Sequence, residues 1–230
     1  MAKILCIETA TQICSVAIGV DGKVVSLREN TRKNSHSEMI TLYIQEVLDE
    51  AGINVQDLDA IAVSKGPGSY TGLRIGVSTV KGLAYSLEKP VIAISTLQSM
   101  AQSMASEYDE NTLLCPMIDA RRMEVYCAMY DSGNNQVSNI EAKIIDEDSF
   151  VDILEKQKVV FFGDGAEKCK EVFESKSNAI FTEKGLPSAV PMVDIAERLY
   201  AKEQFEDVAY FEPYYLKDFV AGKPKVKGLR

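Results

Sequence analysis

The sequence contains one histidine, His36, and this scarcity argues against several kinds of catalytic site. A helical zinc or iron site of the H-x-x-x-H type needs a second histidine four residues later, where this chain has Ile40. A serine hydrolase triad would have to use His36, and the chain has no G-x-S-x-G nucleophile elbow. The sequence therefore predicts no resident metal ion and no catalytic triad.

Paired cysteine motifs and long apolar runs are also missing. The cysteines are odd in number and none forms a C-x-x-C pair, so we expect reduced, buried thiols. No apolar run reaches the ~18 residues that a membrane span needs, and an acid, Glu8, comes too early for a signal peptide. These features predict a cytoplasmic protein without a membrane segment. The cysteines are Cys6, Cys14, Cys115, Cys127 and Cys169.

Basic residues are outnumbered by acidic ones, 25 against 34, and the formal net charge is −9. A protein whose main task is to hold a phosphate backbone is more often basic, so we expect no strong direct binding to nucleic acid. One basic cluster occurs in the segment 217–230, which also contains Gly and Pro and is expected to be flexible. Its members are Lys217, Lys223, Lys225, Lys227 and Arg230.

A glycine-rich turn, Ser64–Arg74, joins an apolar strand pattern at Asp59–Val63 to a helical pattern at Leu73–Leu87. Gly66 and Gly72 are one residue too far apart for a P-loop, and the third glycine of the Rossmann G-x-G-x-x-G is missing. Two interpretations stay open here. The segment is either a tight turn that caps a helix, or a ligand-binding turn at the positive end of a helix.

The helix after this turn contains Gly72, Gly76 and Gly82, each of which costs about 0.5–1 kcal/mol relative to Ala in a helix interior. Gly72 and Gly76 are four residues apart and therefore share one face. The apolar residues around them cover more than one stripe, which indicates a helix covered on more than one side. That cover is either the chain's own core, which the pattern alone favours, or a helix of a second protein.

The order of elements occurs twice along the chain. In the first half, strands are predicted at Lys3–Ile7, Ile13–Val20, Lys23–Glu29, Asp59–Val63 and Val91–Ile94, with helices from the Ser35–Glu38 capping box to Gly52, at Leu73–Leu87 and at Thr96–Glu107. In the second half, Ile118-Asp119 repeats Ile7-Glu8, and Gly163-Asp164-Gly165 repeats Gly66-Pro67-Gly68 before a helix at Ala166–Glu174. Each half is βββαβα, which predicts lobes at 1–107 and 108–216.

Two such lobes face to face form the duplicated α/β architecture of actin, sugar kinases and Hsp70, which is ribonuclease H-like. In that architecture a nucleotide lies in the cleft, so the candidate cleft residues are Glu8, Thr9, Asp119, Gly163 and Gly165. The first hairpin, Thr9-Ala10-Thr11, lacks the glycines that let phosphates approach a backbone, which predicts a weakened or absent nucleotide site. We therefore expect no bound cofactor, with weak binding of ATP and magnesium left open. Asp164 is interpreted as a solvated turn acid.

Six segments together resemble the bacterial TsaB (YeaZ) family of tRNA threonylcarbamoyladenosine modification, over most of the chain. They are K-I-L-C-I-E-T-A-T at 3–11, S-H-S-E at 35–38, G-P-G-S-Y-T-G-L-R-I-G at 66–76, K-P-V-I-A-I-S-T-L at 89–97, I-D-A-R-R-M-E-V-Y at 118–126 and P-Y-Y-L-K at 213–217. The chain departs from the family pattern in three places. Glu8 replaces the usual Asp, Arg122-Met123 replaces Met-Gly, and Lys217 replaces Arg.

The resemblance implies a non-catalytic subunit that binds and activates a related catalytic protein of the TsaD type, which carries the two-histidine metal site. It also implies association with a TsaE-type ATPase, homodimers when the partner is absent, and no strong direct binding to tRNA. The partner surface would lie on the helices that begin at Ser35 and Thr71. Its candidate residues are His36, Ile40, Tyr43, Ile44, Leu73, Gly76, Val77 and Val80.

Two enzymatic hypotheses stand beside this one. The first is an ATPase or phosphotransferase of the actin-like class that uses Glu8 and Asp119. The second is a glycoprotease-like peptidase, for which the sequence supplies no metal ligands.

Overall fold

The computed structural model describes residues 2–31 and 36–217, which form ten strands and five α-helices joined by short 3₁₀ turns. The strands are β1 (Lys3–Glu8), β2 (Cys14–Val20), β3 (Lys23–Asn30), β4 (Ala60–Gly66), β5 (Val91–Ser95), β6 (Thr112–Asp119), β7 (Glu124–Cys127), β8 (Glu141–Ile144), β9 (Lys158–Phe162) and β10 (Ala179–Phe181). The helices are α1 (His36–Ala51), α2 (Tyr70–Leu87), α3 (Thr96–Met104), α4 (Val151–Leu154) and α5 (Val190–Ala201). Over these residues, no helix is both long and apolar enough to cross a bilayer.

The first sheet has the strand order β3-β2-β1-β4-β5. The hairpin strands β1, β2 and β3 pair antiparallel, while β4 and β5 are added in parallel to β1. Parallel addition requires a crossover, and α1 and α2 supply it. Because β1 and β4 are covered on both faces, they are almost entirely buried and appear in the sequence as continuous apolar runs.

The second sheet repeats this arrangement, with the order β10-β9-β6-β7-β8. Strands β6, β7 and β8 pair antiparallel, and β9 and β10 are added in parallel to β6. Each strand of the second sheet therefore has a counterpart of the same rank and direction in the first. The predicted duplication is confirmed, and the molecule has the actin-like, ribonuclease H-like α/β fold.

Two predicted helices differ in the structure. The segment predicted as a helix at Ala166–Glu174 forms two 3₁₀ turns, Glu167–Cys169 and Glu171–Phe173. The helix predicted at Thr96–Glu107 ends as α3 at Met104 and continues as a 3₁₀ turn. Ser35 of the predicted capping box and residues 218–230 of the predicted basic tail lie outside the described residues.

The lobe boundaries predicted from the sequence are wrong for two helices, because each packs on the sheet of the other half. Helix α5 covers one face of the first sheet, where Met192 and Val193 contact the cluster of Ile4 and Cys6. Helix α3 covers the second sheet, where Leu97 joins the cluster of β6 and β9. The opposite face of the first sheet is covered by α1 and α2. Helix α5 is thus part of the first lobe.

Candidate functional site: the cleft between the lobes

An open cavity of about 780 Å³ lies where the turns of the two lobes face each other. The first lobe contributes the β1–β2 turn at 10–12, the start of α1 and the β4–α2 turn at 68–72. The second lobe contributes the β6–β7 turn at 118–121, Tyr126 and Asp164. Residues 215–217 complete the wall. This is the cleft that the duplicated fold predicts.

Glu8 does not line the cavity, so its assignment as a cleft acid is wrong. Its side chain is fully buried, and its Oε1 accepts hydrogen bonds from the Ala10 amide (2.5 Å) and the Ser64 hydroxyl (2.8 Å). Its Oε2 is buried without a hydrogen-bond partner. Burial raises the pKa of Glu8 from 4.5 to about 7, because a carboxylate loses its hydration there. Glu8 fixes the turn that follows β1 and is turned away from the cleft.

Thr9 is also buried and outside the cavity lining. Its hydroxyl donates to the Gly72 carbonyl at 2.9 Å. A Cβ at Gly72 would lie 2.1 Å from the Thr9 carbonyl oxygen, and one at Gly68 would lie 2.3 Å from the Ala10 oxygen. The glycines therefore let the β1–β2 turn press against the start of α2, which Ser69 caps by accepting from the Gly72 amide at 3.3 Å. The segment forms a tight turn with a helix cap, and because residues 68–72 also line the cavity, ligand binding at this turn stays a prediction.

The glycine face of α2 is closed within the chain. A Cβ at Gly76 would lie 2.3 Å from the Thr9 hydroxyl oxygen, so Gly76 faces the chain's own β1–β2 turn. The eight residues proposed for a partner surface are all buried in the first lobe, and of these only His36 lines the cavity, so they do not form an exposed docking face. The residues predicted for the partner surface and found buried are His36, Ile40, Tyr43, Ile44, Leu73, Gly76, Val77 and Val80.

Asp119 is where the sequence placed it, on the cavity wall. Its Oδ1 accepts the Arg121 amide at 3.0 Å and forms an ion pair with Lys168. Arg121 and Arg122 both have positive φ, 72° and 49°, so the Asp119 carboxylate holds a sharp turn built without glycine. The side chain of Asp119 is 48% exposed and remains accessible from the cleft.

Asp164 is exposed, as predicted for a solvated turn acid, and it also belongs to the site. It lines the cavity, and its Oδ1 accepts the Asp119 amide at 3.1 Å. The surrounding protein desolvates this carboxyl and raises its pKa, and the charge of Asp119 adds to the rise. The signal in the sequence was its place between two glycines in the turn equivalent to Gly66-Pro67-Gly68.

Gly163 and Gly165 support the cleft wall from behind and do not line the cavity. Gly163 has φ 97°, and a Cβ there would lie 2.4 Å from the Met117 carbonyl oxygen. At Gly165 the nearest atom would be the Ile118 carbonyl carbon, at 2.9 Å. Neighbouring backbone atoms occupy the space beside both glycines, so no room remains at these two positions for a phosphate.

The aromatic and basic side chains of the cleft were not identified from the sequence. The Tyr70 and Tyr215 rings lie 4.6 Å apart, and the Arg74 guanidinium lies over the Tyr70 ring at 5.5 Å. Tyr126 lines the opposite wall, together with Arg121. Tyr70 and Arg74 are four residues apart on α2, whereas Tyr126 and Tyr215 come from distant segments that no local pattern links to them.

His36 lies at the start of α1 and touches the cavity, but its Nε2 is 3.1 Å from the Ile13 carbonyl oxygen. Throughout residues 2–31 and 36–217, no group of three or more His, Cys, Asp or Glu side chains is arranged to hold a metal ion.

Known proteins resemble this chain over nearly its whole length. A family model described as TsaD, tRNA N6-adenosine threonylcarbamoyltransferase, matches residues 27–225. The tRNA threonylcarbamoyladenosine biosynthesis protein TsaB of Escherichia coli is 34% identical, over 96% of this chain and 97% of that protein. TsaB of Haemophilus influenzae is 29% identical, over 96% and 95% respectively.

Among solved structures, YeaZ from Pseudomonas aeruginosa superposes with a TM-score of 0.80 at 26% identity, covering 94% of this chain and 100% of that one. A tRNA N6-adenosine threonylcarbamoyltransferase of Clostridium perfringens is 31% identical over 134 residues, which are 58% of this chain and 37% of that enzyme. The chain therefore belongs to the TsaB (YeaZ) family, within the wider group of proteins that the threonylcarbamoyltransferase model describes.

Proposed function

We propose that this protein is a non-catalytic subunit in the synthesis of threonylcarbamoyladenosine in tRNA, and that it binds and activates a TsaD-type threonylcarbamoyltransferase. Its relatives carry this pathway in their names. Its likeness to the transferase over part of the chain supports an evolutionary and structural relation between the two subunits.

The observation that carries the non-catalytic part is that the acids ending β1 and β6 both accept backbone amides of their own turns. Glu8 is buried and bonded to the Ala10 amide, and Asp119 is bonded to the Arg121 amide and to Lys168. A carboxylate that acts on a metal or a water must present free lone pairs to it. One of these two acids is sealed from the cleft, and the other is partly occupied by its own turn.

Because one face of α2 is buried, the proposed docking surface for the partner is the exposed face of this helix. There Ser78, Gly82 and Ser86 follow one another at four-residue spacing and are all exposed, and Tyr85 beside them is 82% exposed. A Cβ at Gly82 would meet no atom within 4 Å. The chain's own packing thus gives no reason for a glycine in the interior of this helix, and the close approach of a partner helix would supply one.

A larger side chain at Gly82 tests the docking surface. We expect Gly82→Leu to weaken binding to the TsaD-type protein of the same organism at least about tenfold in isothermal titration calorimetry, because a steric clash at an interface costs on the order of 1–3 kcal/mol. The fold should remain intact, since the position faces open space.

The matched control is Ala201→Leu, which adds a similar side chain at the exposed end of α5. Unchanged affinity of Gly82→Leu would refute this surface. A wild-type protein that forms no complex with the transferase would refute the proposed function.

Two further associations belong to the proposal: one with a TsaE-type ATPase, and homodimer formation through the same α2 face when the transferase is absent. We place the protein in the cytoplasm, where its five buried and unpaired thiols would stay reduced. Sedimentation of the wild type and of Gly82→Leu, each without partner, tests the homodimer. Equal dimer fractions would exclude this face.

A second function, an ATPase or phosphotransferase of the actin-like class, is favoured by one observation. Asp119 and Asp164 both line a cavity of about 780 Å³ between two lobes. Titration with ATP and magnesium separates the two functions. Submillimolar binding that is lost in Asp119→Ala would support the enzyme, whereas unchanged weak binding in both proteins would support the non-catalytic subunit.

A further inference from the structure

Residues 206–217, here called the strap, leave α5 and return across the first lobe to the mouth of the cleft. The strap begins at the edge of the first sheet, where the Glu206 amide donates to the Val91 carbonyl at 2.9 Å. It then crosses α2, where the Lys81 ammonium donates to the carbonyls of Ala209 (3.2 Å) and Phe211 (2.9 Å). The start of the strap is therefore bound to two elements of the first lobe.

The middle of the strap is fixed equally firmly. The Phe211 side chain is 7% exposed and joins the apolar cluster of Val77 and Val80 on α2. The Tyr214 amide donates to the Lys65 carbonyl at 2.7 Å. A Cβ at Gly66 would lie 2.6 Å from the Tyr214 carbonyl oxygen, so the strap lies directly on the β4–α2 turn.

The end of the strap reaches the second lobe through the Lys217 side chain. The Tyr215 ring packs at a tilt of 31° against Tyr70 of the first lobe, and the Lys217 ammonium then pairs with the Glu124 carboxylate at the start of β7. Both Tyr215 and Lys217 line the cavity. The strap is thus held to the first lobe by backbone bonds and a buried ring, and within the described residues an ion pair links it to the second lobe, with 45% of the lysine and 19% of the glutamate side chain exposed.

The lobes also meet away from the cavity, where α3 crosses α5. The Gln102 side chain joins the two helices by donating to Asp194 at 3.2 Å and accepting from Arg198 at 3.2 Å. The same Gln102 oxygen accepts from Asn134 of the second lobe at 2.7 Å. None of these residues lines the cleft. A helix crossing at one side and an exposed ion pair at the other are the arrangement of a hinge and a latch.

We infer that the strap is a latch between the lobes, and that the Lys217–Glu124 pair is its releasable end. Exposed ion pairs contribute little and break readily, whereas the bonds at Lys65 and Lys81 keep the strap on the first lobe. Opening therefore separates Lys217 from Glu124 and exposes the turns at 10–12 and 118–121. This inference concerns the isolated chain and does not rest on the proposed partner.

Hydrogen–deuterium exchange of the full chain, read by mass spectrometry, tests the latch. In Lys217→Glu, attraction to Glu124 becomes repulsion, and we expect exchange of the amides at 10–12 and 118–121 to be about three- to tenfold faster. The reversed pair, Lys217→Glu with Glu124→Lys, should return the rates to those of the wild type. The Tyr214 amide should exchange at the wild-type rate in both variants, because its bond to Lys65 remains.

The matched control is Lys184→Glu, which breaks an exposed ion pair with Glu107 that does not line the cleft. It should leave the cleft turns unchanged. Wild-type exchange in Lys217→Glu would overturn the inference, as would failure of the reversed pair to restore the rates. Faster exchange of the Tyr214 amide would show that the whole strap detaches from the first lobe. That result would also contradict the inference that only the Lys217 end is released.

Discussion

Glu8 and Asp119 make the same hydrogen bond in the two halves of the molecule. Each carboxylate accepts the backbone amide two residues further along, that of Ala10 at 2.5 Å and that of Arg121 at 3.0 Å. The two acids end equivalent strands, β1 and β6. Glu8 is fully buried, whereas the Asp119 side chain is 48% exposed. The duplicated acids therefore share a structural task and differ in their access to the cleft.

The buried carboxyl of Glu8 predicts a specific dependence of stability on pH. Because its pKa rises from 4.5 to about 7 on folding, the folded chain binds the proton more tightly than the unfolded chain. The stability from this group is complete below pH 4.5 and is lost as the pH rises through 7. Glu8→Gln has no carboxyl to ionise and does not lose this stability. The free energy of unfolding of the variant, relative to that of the wild type, should therefore rise by about 2 kcal/mol between pH 5.5 and pH 8.

Urea denaturation at the two pH values measures this gain. Glu183→Gln, which removes an exposed acid, is the control for the change in net charge. If the difference in free energy of unfolding between Glu8→Gln and the wild type stays constant with pH, the raised pKa of Glu8 is contradicted.

Gly76 and Gly82 of α2 have different surroundings, so replacing each by alanine should change the stability of the fold in opposite directions. Gly76→Ala forces a methyl group to within 2.3 Å of the Thr9 oxygen and should destabilise the fold by about 1–3 kcal/mol. Gly82→Ala adds a methyl group in open space and should stabilise it by about 0.5–1 kcal/mol, since alanine favours the helix. Chemical denaturation midpoints of the two variants check this. Equal shifts would refute the packing described for α2.

Lys81 is predicted to hold the strap on α2 through the carbonyls of Ala209 and Phe211. Lys81→Met keeps much of the apolar stem and removes both hydrogen bonds, so we expect a loss of about 1 kcal/mol in stability. Proteolytic cleavage within 206–217 should become faster at the same time. Lys23→Met, at an exposed lysine of β3, is the control. Cleavage at the wild-type rate would show that the strap does not depend on Lys81.

The contact of α5 with the first sheet predicts a coupled pair of substitutions. A Cβ at Gly19 would lie 2.5 Å from Cγ1 of Val193, so Gly19→Ala should destabilise the protein by about 1–3 kcal/mol. Val193→Ala creates space at the same point. The double variant should therefore lose less stability than the two single variants lose in total, by at least about 0.5 kcal/mol in a double-mutant cycle. Strict additivity would mean that α5 does not press on β2 at Gly19.

Much of the fold was predictable from the sequence because its strands and turns carry local signals. The buried strands β1 and β4 appear as apolar runs, and Asp21-Gly22 marks the β2–β3 hairpin with φ values of 50° and 70°. The repeated order of elements then gave the duplicated architecture. The helix predicted at 166–174 is instead two 3₁₀ turns, neither of which begins with a side-chain cap.

The site was harder to predict because it depends on where side chains point. Glu8 and Asp119 occupy equivalent positions, yet only the structure shows that Ser64 and Ala10 turn Glu8 inward. The glycine face of α2 is explained by Thr9, which lies far away in sequence. Helical periodicity identifies two apolar faces but does not say which neighbour covers each of them. For the same reason Tyr70 and Tyr215 could not be paired from the sequence.

The position of α5 has a consequence for how this chain is made. The face of the first sheet that carries Ile4 and Cys6 is covered by α5, which lies at 190–201. On the ribosome, β1 to β5 emerge long before that cover exists, and the nascent first half holds an open apolar surface while the whole second sheet is still being synthesised. Completion of the first half thus waits until α5 has been synthesised. Separate expression of either half should consequently give an insoluble fragment.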